Sequence, residues 1–122
     1  MRHNFRKLKI WKEAVDIVVE VYKLTKRLPG EGVYGMTSQM RRAGNAIPSN
    51  IAEGSGKGTE KDISKLIDIS LGSSNELISE LIVCERLGYL STSESKAVQM
   101  RIESWQNMTV KFQENQLLQK IS

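Results

Sequence analysis

The beginning of the chain has a helical pattern with an unusually broad apolar surface. Polar positions between residues 7 and 28 recur at alternating steps of four and three, the spacing of one narrow stripe on an α-helix. They are Lys9, Glu13, Asp16, Glu20, Lys23 and Arg27. Apolar residues form two adjacent stripes, namely Ile10, Ala14, Ile17, Val21 and Leu24, and Leu8, Trp11, Val15, Val18 and Tyr22. A helix in a lone small bundle needs only one apolar stripe, so the second stripe predicts a contact between subunits.

Three further helical segments follow, and their ends carry recognisable signals. The Pro29-Gly30 pair is typical of a helix end and closes the first segment. Thr59 and Ser91 each stand three residues before an acid, which is the spacing of a capping box at the start of a helix. The four predicted helices span about residues 7–28, 35–56, 60–87 and 92–117.

The second and third helices contain unusual residues. Pro48 lies inside the second helix and lacks a backbone donor, so it predicts a kink. The third helix contains Gly72, Ser73 and Ser74, which disfavour a helix unless another helix passes close by. No segment alternates with a period of two residues. The pattern predicts an all-α fold, an antiparallel up-down-up-down four-helix bundle in a single domain over residues 1–122.

Length and composition predict a cytoplasmic protein with no membrane partner. The chain has 122 residues, of which 26% are charged and 6% aromatic, as in ordinary folded domains. Its single cysteine, Cys84, cannot form an internal disulfide, which favours a reducing compartment. No apolar stretch resembles a signal peptide or approaches the roughly 20 residues of a membrane-spanning helix.

The net charge of +4 is unevenly distributed. Residues 1–12 contain no acid but five bases, namely Arg2, Arg6, Lys7, Lys9 and Lys12. Residues 59–90 contain six acids and three bases, a local charge of −3. A basic end on a near-neutral body can attract polyanions. The alternative is a solvated, partly frayed amino terminus, and the sequence leaves both interpretations open.

Residue patterns for catalysis or metal binding are weak. The stretch GSGKGTEK around Lys57 resembles a phosphate-binding loop, but position 51 is isoleucine instead of glycine and no β-strand precedes it. We therefore interpret it as a helix–helix connection. His3 is the only histidine, so zinc and di-metal bundle centres lack their ligands. Glu53 is expected to be buried and held by an arginine or by helix-end N–H groups. The sequence predicts no enzyme and no cofactor.

Residues 39–77 contain the run QMRRA, the octet IPSNIAEG at residues 47–54, and a Gly-Ser pair with Glu-Leu on the next helix. These motifs resemble those of a small bacterial four-helix-bundle family, named for proteins encoded within intervening sequences of 23S ribosomal RNA genes. The resemblance extends over nearly the whole chain. The motif positions to which we assign a structural role are Pro48, Asn50, Glu53, Gly54, Gly72, Ser73 and Glu76.

The resemblance implies a homo-oligomeric ring, commonly a pentamer, and a role in binding RNA or DNA. A similar branch serves a reverse transcriptase and its RNA. Five basic arms would present about 25 positive groups on one ring, which favours salt-dependent binding of a polyanion. The expected contact residues are the five bases of the arm, followed by Arg41, Arg42 and Lys57.

Two alternatives remain open at this point. Either Arg41 or Arg42 could serve a structural ion pair with Glu53 or with a neighbouring subunit, since adjacent helical residues point about 100° apart. The protein could also be an oligomeric protein–protein interaction module whose charge serves only solubility. Trp11, Trp105 and Phe112 lie on apolar stripes, so we expect no aromatic platform among the bases. Any RNA should then be bound through its backbone and shape instead of by stacking.

Overall fold

The computed structural model describes residues 2–28, 30 and 34–121. These residues form a 3₁₀ turn and four α-helices, and none of them lies in a strand. The turn spans Phe5–Lys7, and the helices are α1 (Lys9–Lys26), α2 (Tyr34–Ser55), α3 (Glu60–Arg86) and α4 (Thr92–Ile121). The first helix was predicted from residue 7, but Lys7 belongs to the turn and Leu8 is the N-cap of α1. Pro29, predicted to close this helix, lies outside the described residues.

The predicted caps of α3 and α4 are confirmed. The Thr59 hydroxyl accepts a hydrogen bond from the Asp62 backbone N–H at 3.2 Å. Ser91 and Glu94 form a reciprocal capping box, in which each side chain accepts the other residue's backbone N–H at 3.0 and 3.1 Å. Such bonds satisfy donors that a helix start leaves without partners. The turn between the two helices contains Gly88, whose φ of 82° favours glycine.

One apolar core is shared by all four helices. In α1 the stripe through Ile10, Ala14, Ile17, Val21 and Leu24 is buried, as its period predicts. The core residues of the other helices are Met40, Ala43, Ile47, Ile51, Ile63, Ile67, Leu77, Leu81, Cys84, Val98, Ile102 and Trp105. α1 packs against α2 and α4, and α3 packs against the same two helices. The indole N–H of buried Trp105 donates to the Ile10 carbonyl at 2.8 Å, which ties α4 to the start of α1.

Small residues allow α2 and α3 to approach closely, but at positions other than Gly72. The buried Ser70 hydroxyl donates to the Ile47 carbonyl at 2.7 Å. Cys84 Sγ lies 3.7 Å from Met40 Sδ. A Cβ atom on Gly72, by contrast, would have no atom of the described residues within 4 Å, apart from its own helix backbone and chain neighbours. Gly72 itself therefore faces outward. The expectation that another helix passes close to this small-residue stretch is confirmed at Ser74, which is fully buried and accepts a hydrogen bond from the Gln106 amide of α4 at 2.8 Å.

The second apolar stripe of α1 is partly used within the chain. Leu8 and Trp11 pack against the core, and the Trp11 ring meets the Phe5 ring edge-on at 5.0 Å between centroids. Farther along the stripe, Val15 and Val18 are half-buried and Tyr22 is 38% exposed. The exposed surface is thus smaller than predicted, because the amino-terminal arm covers one end of the stripe.

Two further predictions concern helix shape and membrane contact. Pro48 lies inside α2, which continues through it to Ser55. The kink at Pro48 stays a prediction. In the part of the chain that the structure describes, no helix combines the length and the apolar character needed to cross a lipid bilayer.

Candidate nucleic-acid interface

The basic amino-terminal arm is anchored to the end of α2. The His3 backbone N–H donates to the Ser55 carbonyl at 3.0 Å, and Arg2 Nε donates to the Gly56 carbonyl at 3.1 Å. Asn4 caps the 3₁₀ turn by accepting the Arg6 backbone N–H. These bonds attach residues 2–8 to the bundle, while the side chains of Arg2, Arg6 and Lys7 are exposed to solvent.

The structure brings six of the predicted contact residues to this end of the molecule. Lys57 lies next to the arm, because Arg2 contacts the residues on both sides of Lys57. Arg2 donates a hydrogen bond to Gly56, and its guanidinium lies beside Gly58. All six side chains are exposed, and we call them the arm cluster: Arg2, Arg6, Lys7, Lys9, Lys12 and Lys57. Glu53 and Asp62 line the same shallow depression as Lys57, so the positive charge is densest on the arm itself.

Arg41 and Arg42 lie elsewhere, on the groove between α1 and α2. The Arg41 guanidinium stacks over the Tyr22 ring at 4.5 Å from its centroid, and its Nε donates to the Thr25 hydroxyl at 2.9 Å. Asn45 donates to the Tyr22 hydroxyl at 2.8 Å. Arg42 is exposed on the next position of α2. Both members of the stacked pair are therefore held in place by hydrogen bonds.

We call this second group the groove cluster, and it is well separated from the arm. Its members are Tyr22, Lys23, Lys26, Arg41 and Arg42, which line two adjoining depressions beside Arg41. Lys9 and Tyr22 are separated by about 20 Å along α1 at the rise of an α-helix. Tyr22, Lys23 and Lys26 are not among the predicted contact residues. Tyr22 has the spacing of an apolar stripe, and only the packing of α1 on α2 places Arg41 over it.

The predicted environment of Glu53 is wrong. This carboxylate is exposed instead of buried, because it lies on the outer face of α2. The ion pairs among the described residues join Arg27 to Glu94 and Arg101 to Asp16 and Glu20, so Glu53 belongs to none of them. Pairing of Arg41 or Arg42 with Glu53 within the chain is thereby excluded, while pairing with a neighbouring subunit stays untested.

Glu80 of α3 is a buried carboxyl that interacts electrostatically with Arg42 of α2. Glu80 is only 9% exposed, and its Oε1 accepts no hydrogen bond from the described residues. Burial raises the pKa of this carboxyl, the charge of Glu76 raises it further, and Arg42 acts in the opposite direction. Arg42 therefore faces an acidic neighbour on one side and the groove on the other.

The remaining motif residues differ in their surroundings, and Gly54 is the one that packs closely between α2 and α3. Gly54 faces α3 at close range, and the Asn50 amide donates to the Ala46 carbonyl at 2.7 Å. Pro48 and Ser73 are half-buried, whereas Glu76 is exposed. Within residues 2–28, 30 and 34–121, no three histidine, cysteine, aspartate or glutamate side chains are placed to hold a metal ion.

Comparisons with known proteins give a family and a fold. The family model described as 23S rRNA-intervening sequence protein matches residues 6–111. A crystal structure of a protein of unknown function from the S23 ribosomal protein family of Bacteroides thetaiotaomicron has a similar fold, with a TM-score of 0.79 and 20% sequence identity. That similarity covers 85% of this chain and 97% of the other. None of the curated proteins searched matches the sequence.

Proposed function

Because this chain belongs to the 23S rRNA-intervening sequence protein family, we propose that it is a non-enzymatic, oligomeric scaffold that binds RNA. It acts in the cytoplasm, either alone or as an accessory to an RNA-handling enzyme such as a reverse transcriptase. The observation that carries this proposal is the anchored arm. Its five bases are exposed, and residues 1–12 contain no acid to neutralise them.

In this proposal each subunit is an antiparallel up-down-up-down four-helix bundle. The order of the contacts supports it. Along α1 and α4, Asp16 meets Arg101 and the later Arg27 meets the earlier Glu94. Along α2 and α3, Met40 meets Cys84 and the later Ile47 meets the earlier Ser70. In both pairs the residue numbers increase along one helix while those of its contact partners decrease along the other, as expected for antiparallel helices.

We propose a ring of identical subunits, with five copies as the expected size. Exposed apolar side chains on the outer face of α3 and directly after it support an assembly, since Ile69 is 46% exposed and Leu87 59%. A ring would present five copies of the arm. A polyanion that spans several arms would bind much more tightly than one arm alone could achieve.

The second candidate is an oligomeric protein–protein interaction module without a nucleic-acid role. The observation that favours it is the exposure of large apolar residues beyond α1, above all Leu87 and Met100 at 59% and 67%. Under this alternative the arm would contribute to solubility and to the stability of the α2 end.

The test measures particle mass by light scattering during size exclusion, with and without a short structured RNA, at two salt concentrations. Deleting the arm is a poor variant, because the deletion also removes the bonds from His3 and Arg2 to the end of α2. The double substitution Lys7→Gln with Lys9→Gln keeps those bonds. Arg86→Gln with Lys96→Gln is the matched control, since it removes the same charge from exposed positions at the other end of the molecule.

The proposal predicts that the oligomer takes up RNA at low salt and releases it at high salt. The arm variant should lower the slope of log affinity against log salt by roughly one for each lost phosphate contact, while the control should leave it unchanged. Competition with duplex DNA of equal length tests the preference for RNA. An oligomer that ignores RNA at both salt concentrations would contradict the scaffold and leave the interaction module.

A further inference from the structure

We propose that the groove cluster binds single-stranded RNA by stacking one nucleobase on the Arg41–Tyr22 pair and by holding the flanking phosphates with Lys23, Lys26 and Arg42. This inference rests on the proposed RNA-binding function and adds a second, chemically different contact to it. The arm cluster supplies charge, whereas the groove cluster supplies charge together with a planar surface.

The stacked pair is fixed before any ligand arrives. Arg41 is held through Nε by Thr25, whose hydroxyl in turn donates to the Val21 carbonyl at 2.7 Å. The Tyr22 ring is held at its hydroxyl by Asn45. Nucleobases stack on aromatic rings and on arginine planes, and a pre-ordered pair loses little side-chain freedom on binding. The guanidinium and the ring together therefore offer a rigid, positively charged platform.

The platform is accessible to a ligand. Tyr22 is 38% exposed, and an open depression of about 440 Å³ lies on the α2 side of the pair, lined also by Thr37 and Ser38. A second depression of about 550 Å³ lies on the α1 side, lined by Val18, Val19 and the two lysines. Volumes of this size lie within the range of small-ligand sites. The hydroxyl groups of Thr37 and Ser38 can meet the polar edge of a base.

The charge of the groove selects an anionic ligand. The described residues that line the two depressions include four cations, Lys23, Lys26, Arg41 and Arg42, and no carboxylate. The larger depression between α3 and α4 is different, because Glu60, Asp62 and Asp68 line it. Lys23 and Lys26 lie one helical turn apart and flank the platform on one side. This spacing allows each to meet a phosphate next to the stacked base.

Stacking favours a single strand over a duplex, because bases inside a duplex already stack on each other. This proposal departs from the expectation that RNA binding involves no stacking. That expectation rested on Trp11, Trp105 and Phe112, which do pack in or against the core. Tyr22 differs from them, since its ring is partly exposed and covered on one side by a cation.

The test compares a 12-nucleotide single strand with a 12-base-pair RNA duplex, each labelled and followed by fluorescence anisotropy with the intact protein. Arg41→Lys keeps the charge but removes the planar group, and Tyr22→Leu removes the ring. Each should weaken single-strand binding about tenfold, the effect of losing one stacked base, and change duplex binding by less than about twofold. Tyr22→Phe keeps the ring but loses the hydrogen bond from Asn45, so its single-strand affinity should lie between those of Tyr22→Leu and the wild type. Arg86→Lys is the charge-conserving control at an exposed site.

Salt dependence separates stacking from charge. Arg41→Lys should leave the slope of log affinity against log salt unchanged, whereas Lys26→Gln should lower it by about 0.7, the value for one phosphate of a single strand.

If the wild type binds RNA but Arg41→Lys and Tyr22→Leu bind it equally well, this inference is overturned and the proposed function stands. If the wild type binds neither RNA, the proposed function fails as well. A loss of particle mass in Tyr22→Leu without RNA would identify the groove as a subunit contact and overturn the inference.

Discussion

Gly54 of α2 packs so closely against Leu66 of α3 that a Cβ atom on residue 54 would lie 3.2 Å from the Leu66 Cβ. The same atom would lie 3.4 Å from the Ile63 carbonyl oxygen. Both neighbours are fixed to the α3 backbone, so neither can rotate away from an added methyl group. The glycine that ends the IPSNIAEG motif therefore sets the distance between the two helices.

Gly54→Ala is expected to lower the free energy of unfolding by about 1–3 kcal/mol, the usual cost of overpacking. Gly72→Ala is the control, because a Cβ atom there meets nothing described within 4 Å. Replacing a glycine inside a helix should raise the stability by about 0.5–1 kcal/mol. Urea unfolding followed by circular dichroism measures both variants. Equal effects at the two positions would contradict the close approach at Gly54.

Trp105→Phe should destabilise the protein much more than Trp11→Phe. Trp105 is 1% exposed and its indole N–H bonds to the Ile10 carbonyl, so phenylalanine removes a hydrogen bond and leaves a small cavity. We expect a loss of about 1–3 kcal/mol in the free energy of unfolding. Trp11 is half-buried at the edge of the core, and its loss should stay below about 1 kcal/mol. Similar losses for both tryptophans would show that the bond to Ile10 contributes little.

The capping box of α4 should make part of the stability sensitive to acid. The Ser91 backbone N–H, followed by the Arg27 side chain and the Ser91 hydroxyl, lowers the pKa of Glu94 from its ordinary value of 4.5. The unfolded state therefore binds the proton more readily. The stabilisation is complete above pH 4.5 and is lost as the pH falls through the lowered pKa. Ser91→Ala should cost about 1 kcal/mol at pH 7.

Unfolding curves recorded between pH 7 and pH 2 test this acid dependence. Glu94→Gln should flatten the loss of stability in acid, and Glu103→Gln, at an exposed position of α4, serves as its control. An unchanged acid profile in Glu94→Gln would contradict the role of the capping box.

Glu80→Gln is expected to stabilise the protein at neutral pH. Burial, with help from Glu76, raises the pKa of the Glu80 carboxyl above its ordinary value of 4.5. The folded state then binds the proton more readily, so Glu80 lowers the stability as the pH rises from 4.5 through the raised pKa. The advantage of glutamine should be largest at pH 7 and should vanish below pH 4.5. Thermal unfolding at pH 7 and pH 4 measures it, and a gain of equal size at both pH values would refute the explanation.

Local signals in the sequence predicted the helices well. Thr59 and Ser91 cap helices as expected because capping depends on residues only three positions apart. The buried stripe from Ile10 to Leu24 follows directly from the helical period. The start of α1 was placed too early, because the 3₁₀ turn at Phe5–Lys7 depends on packing of Phe5 against Trp11.

Predictions that depended on contacts between helices were less successful. Gly72 and Gly54 are both motif glycines, yet of the two only Gly54 faces another helix, and the motif alone does not reveal which glycine meets a neighbour. The pair of Arg41 and Tyr22 forms because α2 packs beside α1, so neither residue alone indicates a platform. The basic character of the arm was readable from the sequence, whereas its anchoring through Ser55 and Gly56 was not.

The Cys84 thiol of α3 lies against the Met40 sulfur of α2, so its chemical reactivity reports how often these two helices separate. Cys84 is the only cysteine in the sequence and is fully buried. Burial, with a smaller effect of Glu80, also raises the pKa of its thiol, so a thiol reagent needs both exposure and deprotonation. The rate of its modification in the native protein therefore measures transient opening of the core. A cysteine introduced on the surface would react far faster, so a dye could be attached there without removing Cys84.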